Sequence, residues 1–198
     1  MNAQLNLILD DYIQRYLEGN QAANLLNNLL NDTGVGLRPL IDHCTIRTDN
    51  VDQRALEFEE MGYVQDEQIG VLTFDHWWAK VYRKPGYPAL FIDQAFADER
   101  GTKSLIPQWV NDHGDQTFHH IAIQVNDIEI ALQKLSEQGL SFSDQIIGER
   151  KSDLRQIFST PEIKEGKVFT VLELIERHNG YEGFLPPQAD GLMESTRI

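Results

Sequence analysis

Apolar positions in the first thirty residues recur at helical spacing. Leu5, Ile8, Leu9, Tyr12, Ile13 and Tyr16 share one face, Gly19-Asn20 interrupts, and Leu25, Leu26, Leu29 and Leu30 resume the pattern. This predicts an N-terminal helical segment, residues 1–36, packed on the rest of the chain; a dimerisation element is the alternative. From Leu40 to Thr48 the period changes to two. His43, Thr45 and Arg47 then fall on one face of a strand, with Cys44 and Ile46 on the other. An amphipathic helix follows over about 51–61, closed by Gly62, a residue suited to a helix C-terminus. Strand-like runs come next at about 69–74, 77–83 and 88–92, with Pro85-Gly86 turning between the last two.

Residues 94–116 read as a connector with a short helix near 105–110. Strand periodicity returns at Thr117–Val125, where Ile121, Ile123 and Val125 face one way and Phe118, His120, Ala122 and Gln124 the other. A second amphipathic helix spans about 128–138 and stops at Gly139. Strands are predicted at about 145–148, 154–159 and 168–175, and the tail from 179 to 198 shows no period.

The two halves match. Gly62 follows His43 by 19 residues (62 − 43), and Gly139 follows His120 by 19 (139 − 120). In that frame Ile46 matches Ile123, Val51 matches Ile128, Ala55 matches Leu132 and Phe58 matches Leu135. The predicted fold is therefore α+β: two tandem βαβββ modules, about 40–93 and 117–177, in one pseudo-symmetric metal-binding domain over 37–198.

Composition narrows the function classes. A formal charge of −14 over 198 residues excludes a nucleic-acid surface and an anionic membrane surface, leaving small anionic ligands held by local arginines. No apolar run reaches the roughly 18 residues of a membrane span, and no signal-peptide pattern opens the chain. The single cysteine, Cys44, forms no intrachain disulfide, and a cytoplasmic setting is expected.

Duplication gives His43 and His120 equivalent positions on equivalent strands. Two neutral imidazoles facing one interior make a divalent-metal site that needs an anionic ligand. The Val171–Arg177 strand offers one: Glu173 lies between Val171 and Ile175 on one face, and a mid-strand carboxylate among apolar residues is costly unless paired or coordinated. His43, His120 and Glu173 form a two-histidine, one-carboxylate set suited to iron(II), with zinc or nickel as alternatives. Arg155 and Gln156, on the strand before that of Glu173, are candidate contacts to a polar substrate, with a solvated sheet edge as the alternative. His119, of opposite parity to His120, reads as a packed histidine or one that orients a neighbour.

Asp42-His43, His120-Ile-Ala-Ile123 and Leu172-Glu-Leu-Ile-Glu-Arg177 resemble the vicinal oxygen chelate superfamily, particularly its dioxygenases related to 2-oxo acids, such as 4-hydroxyphenylpyruvate dioxygenase. Within it, His43-Cys44-Thr45-Ile46-Arg47 resembles the His-x-x-x-Arg of the 2-oxoadipate dioxygenase/decarboxylase (hydroxyglutarate synthase) family. The resemblance covers about 40–177. It implies an incomplete barrel around one metal, with His43, His120 and Glu173 as ligands and Arg47 anchoring a substrate carboxylate and supporting catalysis. The implied activity is iron(II)-dependent oxidative decarboxylation of a small 2-oxo acid with molecular oxygen. The rival readings are a zinc- or nickel-dependent lyase, isomerase or hydrolase, and a non-catalytic ligand-binding protein of the same fold.

Overall fold

Asn50 and Asp127 start the two module helices in the same way. Each stands seven residues after its histidine, adopts extended backbone (φ −150° and −153°), and accepts a hydrogen bond from the N–H three residues on, Gln53 and Ile130. That is the side-chain N-cap, which satisfies an otherwise orphaned helix donor. Both helices also finish alike, with Gly62 and Gly139 at φ +91° and +93°, the left-handed conformation where a Cβ would be strained. The repeat seen in the sequence is thus a repeat of local structure.

In the computed structural model, which describes residues 2–196, the elements run α1 (Asn2–Gly19), α2 (Gln21–Asp32), β1 (Ile41–Arg47), α3 (Val51–Glu59), β2 (Val64–Gln65), β3 (Val71–Thr73), β4 (Trp77–Arg83) and β5 (Ala89–Ala95). They continue with α4 (Ile106–His113), β6 (His120–Gln124), α5 (Ile128–Glu137), β7 (Leu154–Phe158), β8 (Ile163–Lys164), β9 (Lys167–Val168), β10 (Val171–Arg177) and α6 (Pro186–Ser195). The architecture is α+β, and the described residues divide into two compact units: residues 2–16 with 43–119, and residues 17–42 with 120–196.

In the first unit, β4 lies between β2 and β5, β3 also pairs with β4, and β1 joins β5 in parallel. His43, Thr45 and Arg47 sit opposite Ala89, Phe91 and Asp93, so these six share one sheet face. Cys44, Ile46, Leu90 and Ile92 occupy the other and are buried. α3 packs on β5 and buries Val51, Ala55 and Phe58. Tyr12 of α1 closes this side, its ring 6.1 Å from Phe58 and 5.0 Å from Phe118.

In the second unit, β10 is central, parallel to β6 and antiparallel to β7. α2 packs against β10; Asn20 caps α2 through Ala23 N–H and donates to Thr170 Oγ1 at 3.1 Å. The Gly19-Asn20 interruption is therefore a cap between two helices. The strand expected over 145–148 is reduced to a two-bond bridge between Ile147 and Gln156, both bonds 2.9 Å. Gly148 ends it: φ is +102°, and a Cβ there would meet the Leu154 carbonyl oxygen at 2.4 Å.

The tail is not patternless. α6 buries Leu192 and Met193, and Leu192 packs with Phe158 and Val171. Pro186-Pro187 occupies the first turn of the helix, where no intrahelical N–H is needed. Residues 197 and 198 of that tail lie outside the described residues. No helix among the described residues is long and apolar enough to cross a membrane.

Candidate metal and anion site

His120 opens β6 opposite Val171 of β10, and Glu173 stands two residues further along β10 on the same face. Their side chains meet, with Nε2 of His120 3.1 Å from Oε2 of Glu173. Glu173 is 1% exposed and His120 9%. The other carboxylate oxygen, Oε1, accepts a 2.6 Å hydrogen bond from Nε2 of Gln156, itself buried on β7. The Phe158 ring lies 5.0 Å from that of His120. A carboxylate so deep is tolerated only when its oxygens have partners, and here the partners divide them: an amide on one, an imidazole on the other.

The equivalent face of the first unit has different occupants. His43 is buried, its ring 6.3 Å from Phe91. Registers in the two modules correspond pair for pair: His43–Ala89 with His120–Val171, Thr45–Phe91 with Ala122–Glu173, and Ala79–Asp93 with Gln156–Ile175. Phe91 thus stands where the second module has Glu173, and Ala79 where it has Gln156. The duplication supplies two histidines and one carboxylate.

Arg47 and Asp93 are cross-strand partners, each 2% exposed. Burial lowers the Arg47 guanidinium to about 10, and Asp93 offsets part of this. Burial likewise pushes the Asp93 carboxyl up to about 7, against the pull of Arg47. Asp93 Oδ1 has no hydrogen-bond partner among the described residues. The Arg47 guanidinium lies 5.8 Å from the centre of the Trp109 ring, and His119 meets that indole edge-on at 5.6 Å. His119 is fully buried, and its backbone N–H donates to the Thr45 carbonyl at 2.8 Å. Asp93 was not a sequence candidate, because the predicted strand ended at Ile92. Its parity with Phe91 is the signal that a longer strand would have exposed.

Arg155 lies on the opposite face of β7 from Gln156. Its guanidinium bonds Glu129 of α5 at 2.5 and 2.9 Å and Glu176 at 3.1 Å. Glu176, also buried, accepts the Ile128 N–H at the start of α5 and contacts His178 Nε2 at 2.6 Å. This group ties α5 to the sheet. Arg177 pairs bidentately with Asp42 at 2.7 and 2.9 Å and donates to the Gly183 carbonyl, holding the segment that leads to α6.

Among these side chains, His43, His120 and Glu173 each offer one ligand atom of the kind that holds a metal ion: two imidazole nitrogens and a carboxylate oxygen. The second unit itself brings together two of the predicted ligands, His120 and Glu173.

Two tandem modules of strand, helix and further strands, the second carrying a buried histidine–carboxylate pair, define the chain as an α+β protein with a candidate metal site. The family model of the Glyoxalase/Bleomycin resistance protein/Dioxygenase superfamily matches residues 40–164, and the chain belongs to that superfamily. No curated protein sequence matches the chain. Among solved structures, a protein from Shewanella frigidimarina designated a hydrolase is 19% identical with a TM-score of 0.75, covering 91% of this chain and 97% of its own. A glyoxalase-superfamily protein from Ralstonia eutropha is 12% identical with a TM-score of 0.66, over 89% and 84%. A mutant of 4-hydroxymandelate synthase from Streptomyces coelicolor is 21% identical with a TM-score of 0.62, over 81% of this chain and 54% of that one. At these identities the likeness is one of fold.

Proposed function

We propose that the protein is a non-haem iron(II)-dependent dioxygenase acting on a small 2-oxo acid, by oxidative decarboxylation. The observation that carries this reading is the buried His120–Glu173 pair, joined on one sheet face at 3.1 Å. In this reading His43 completes the set, giving the two-histidine, one-carboxylate composition that suits iron(II) and leaves positions open for substrate. The donor chemistry fits such an ion, since a nearly inaccessible carboxylate is best stabilised by a cation. When bound, iron(II) supplies electrons and a common anchor for the 2-oxo acid and molecular oxygen.

The chain's own residues do the rest. Glu173 contributes the anionic ligand, and the two imidazoles contribute neutral nitrogens. Arg47, on the His43 face of β1, binds the substrate carboxylate through its planar guanidinium. Burial strengthens that contact by excluding water. Arg155 is assigned to the anchoring of α5, because its guanidinium is engaged by Glu129 and Glu176 on the opposite sheet face. The resemblance to 2-oxoadipate dioxygenase/decarboxylase through His43 and Arg47 supports the substrate class, and the presence of dioxygenases in the superfamily supports the reaction type.

The test is oxygen uptake by iron-loaded protein across a panel of aliphatic and aromatic 2-oxo acids. Uptake that requires both iron(II) and one of these acids, with carbon dioxide released, is expected. No uptake across the panel overturns the dioxygenase reading. Turnover of a carbonyl substrate with zinc or nickel in the absence of oxygen would establish Lewis-acid chemistry at the same residues instead.

A further inference from the structure

We propose that Gln156 is a positioning residue that restricts Glu173 to one metal-ligating oxygen; the inference rests on the metal reading above. Its amide Nε2 donates to Oε1 at 2.6 Å, while Oε2 is the oxygen that faces His120 at 3.1 Å. Both residues are at most 4% exposed, so water does not compete for Oε1. An amide donates only through its nitrogen, so Nε2 is the atom that faces the carboxylate, and the geometry places it on Oε1 rather than on the oxygen beside His120.

The backbone around Gln156 is braced from both sides. It pairs with Ile175 of β10, and its N–H and carbonyl each bond Ile147 at 2.9 Å. A side chain on so constrained a strand holds its partner with little freedom. The internal repeat supplies an independent argument. Where the first module has Phe91 at the Glu173 position, it has Ala79 at the Gln156 position. The amide accompanies the carboxylate and is missing where the carboxylate is missing. A ligand held through one oxygen leaves a further coordination position for a chelating substrate, which a bidentate carboxylate would fill.

The experiment is cobalt(II) titration of metal-free wild type, Gln156→Met and Gln156→Asn, followed by visible absorption, with urea unfolding of each metal-free protein as the folding control. Met matches the length of Gln without its donor, and Asn keeps an amide too short to reach; if one variant does not fold, the other carries the test. The expected result is cobalt affinity weakened roughly 10–100-fold in folded variants, the cost typical of losing an outer-shell partner. The d–d band positions should also shift as Glu173 becomes free to bind through both oxygens. Folded variants with wild-type affinity and spectrum overturn the role of Gln156 and leave the metal reading intact. Wild type that binds no cobalt overturns both.

Discussion

His120 and Glu173 meet at 3.1 Å from neighbouring parallel strands, inside a unit that buries both. Glu173→Gln keeps the shape and removes the charge. Metal affinity is expected to fall by more than the roughly 100-fold upper range of outer-shell losses, because a donor to the ion itself is lost. The metal-free variant should be as stable as wild type or more so, since a buried carboxylate no longer needs partners. Metal analysis and urea unfolding of the same samples check both halves.

Arg155 separates architecture from chemistry. Arg155→Met leaves Glu176 buried with its principal cation removed, and breaking a buried pair in this way costs about 3–5 kcal/mol. The bond to Glu129 adds little, that side chain being 38% exposed. Metal affinity should be unchanged. A variant that loses metal while keeping its stability would return Arg155 to the site.

Asp93 gives the stability curve a predictable slope. Its carboxyl is raised to about 7 in the folded state, so between the ordinary carboxylate range and pH 7 the folded protein binds more protons than the unfolded chain. The stabilising contribution is fully present below the unfolded pKa and is lost as pH rises through about 7. Arg47→Met removes the charge that holds Asp93 down, so the titration should move higher still. Carboxyl carbon-13 NMR reads the midpoint directly; a drop in Arg47→Met would contradict the assigned coupling.

Asn50→Ala and Asp127→Ala remove equivalent caps from α3 and α5. Each is expected to cost about 1 kcal/mol in urea unfolding. Comparable losses at both positions would show that the two modules use their caps alike.

Much of the fold was legible in the sequence because it depends on short-range periodicity. The switch from helical to strand spacing after Leu40, the two 19-residue frames and the closing glycines are local properties, and the capped helices follow them. The parity of His120 and Glu173 on their strands was also readable, since a period of two assigns every side chain to a face. What the sequence by itself determined was therefore which residues could share a face. Only the tertiary structure decided which shared faces become contacts. It placed Gln156 on Glu173 and Arg155 on Glu176, because neighbours in sequence point to opposite sides of β7. It also set Asp93 beside Arg47 through a strand pairing more than forty positions apart. It folded 186–195, where the sequence shows no period, as a helix, since the two prolines fit a first turn and Leu192 has Phe158 and Val171 to pack against. Register and packing between distant segments carry that information, and no window along the chain contains it.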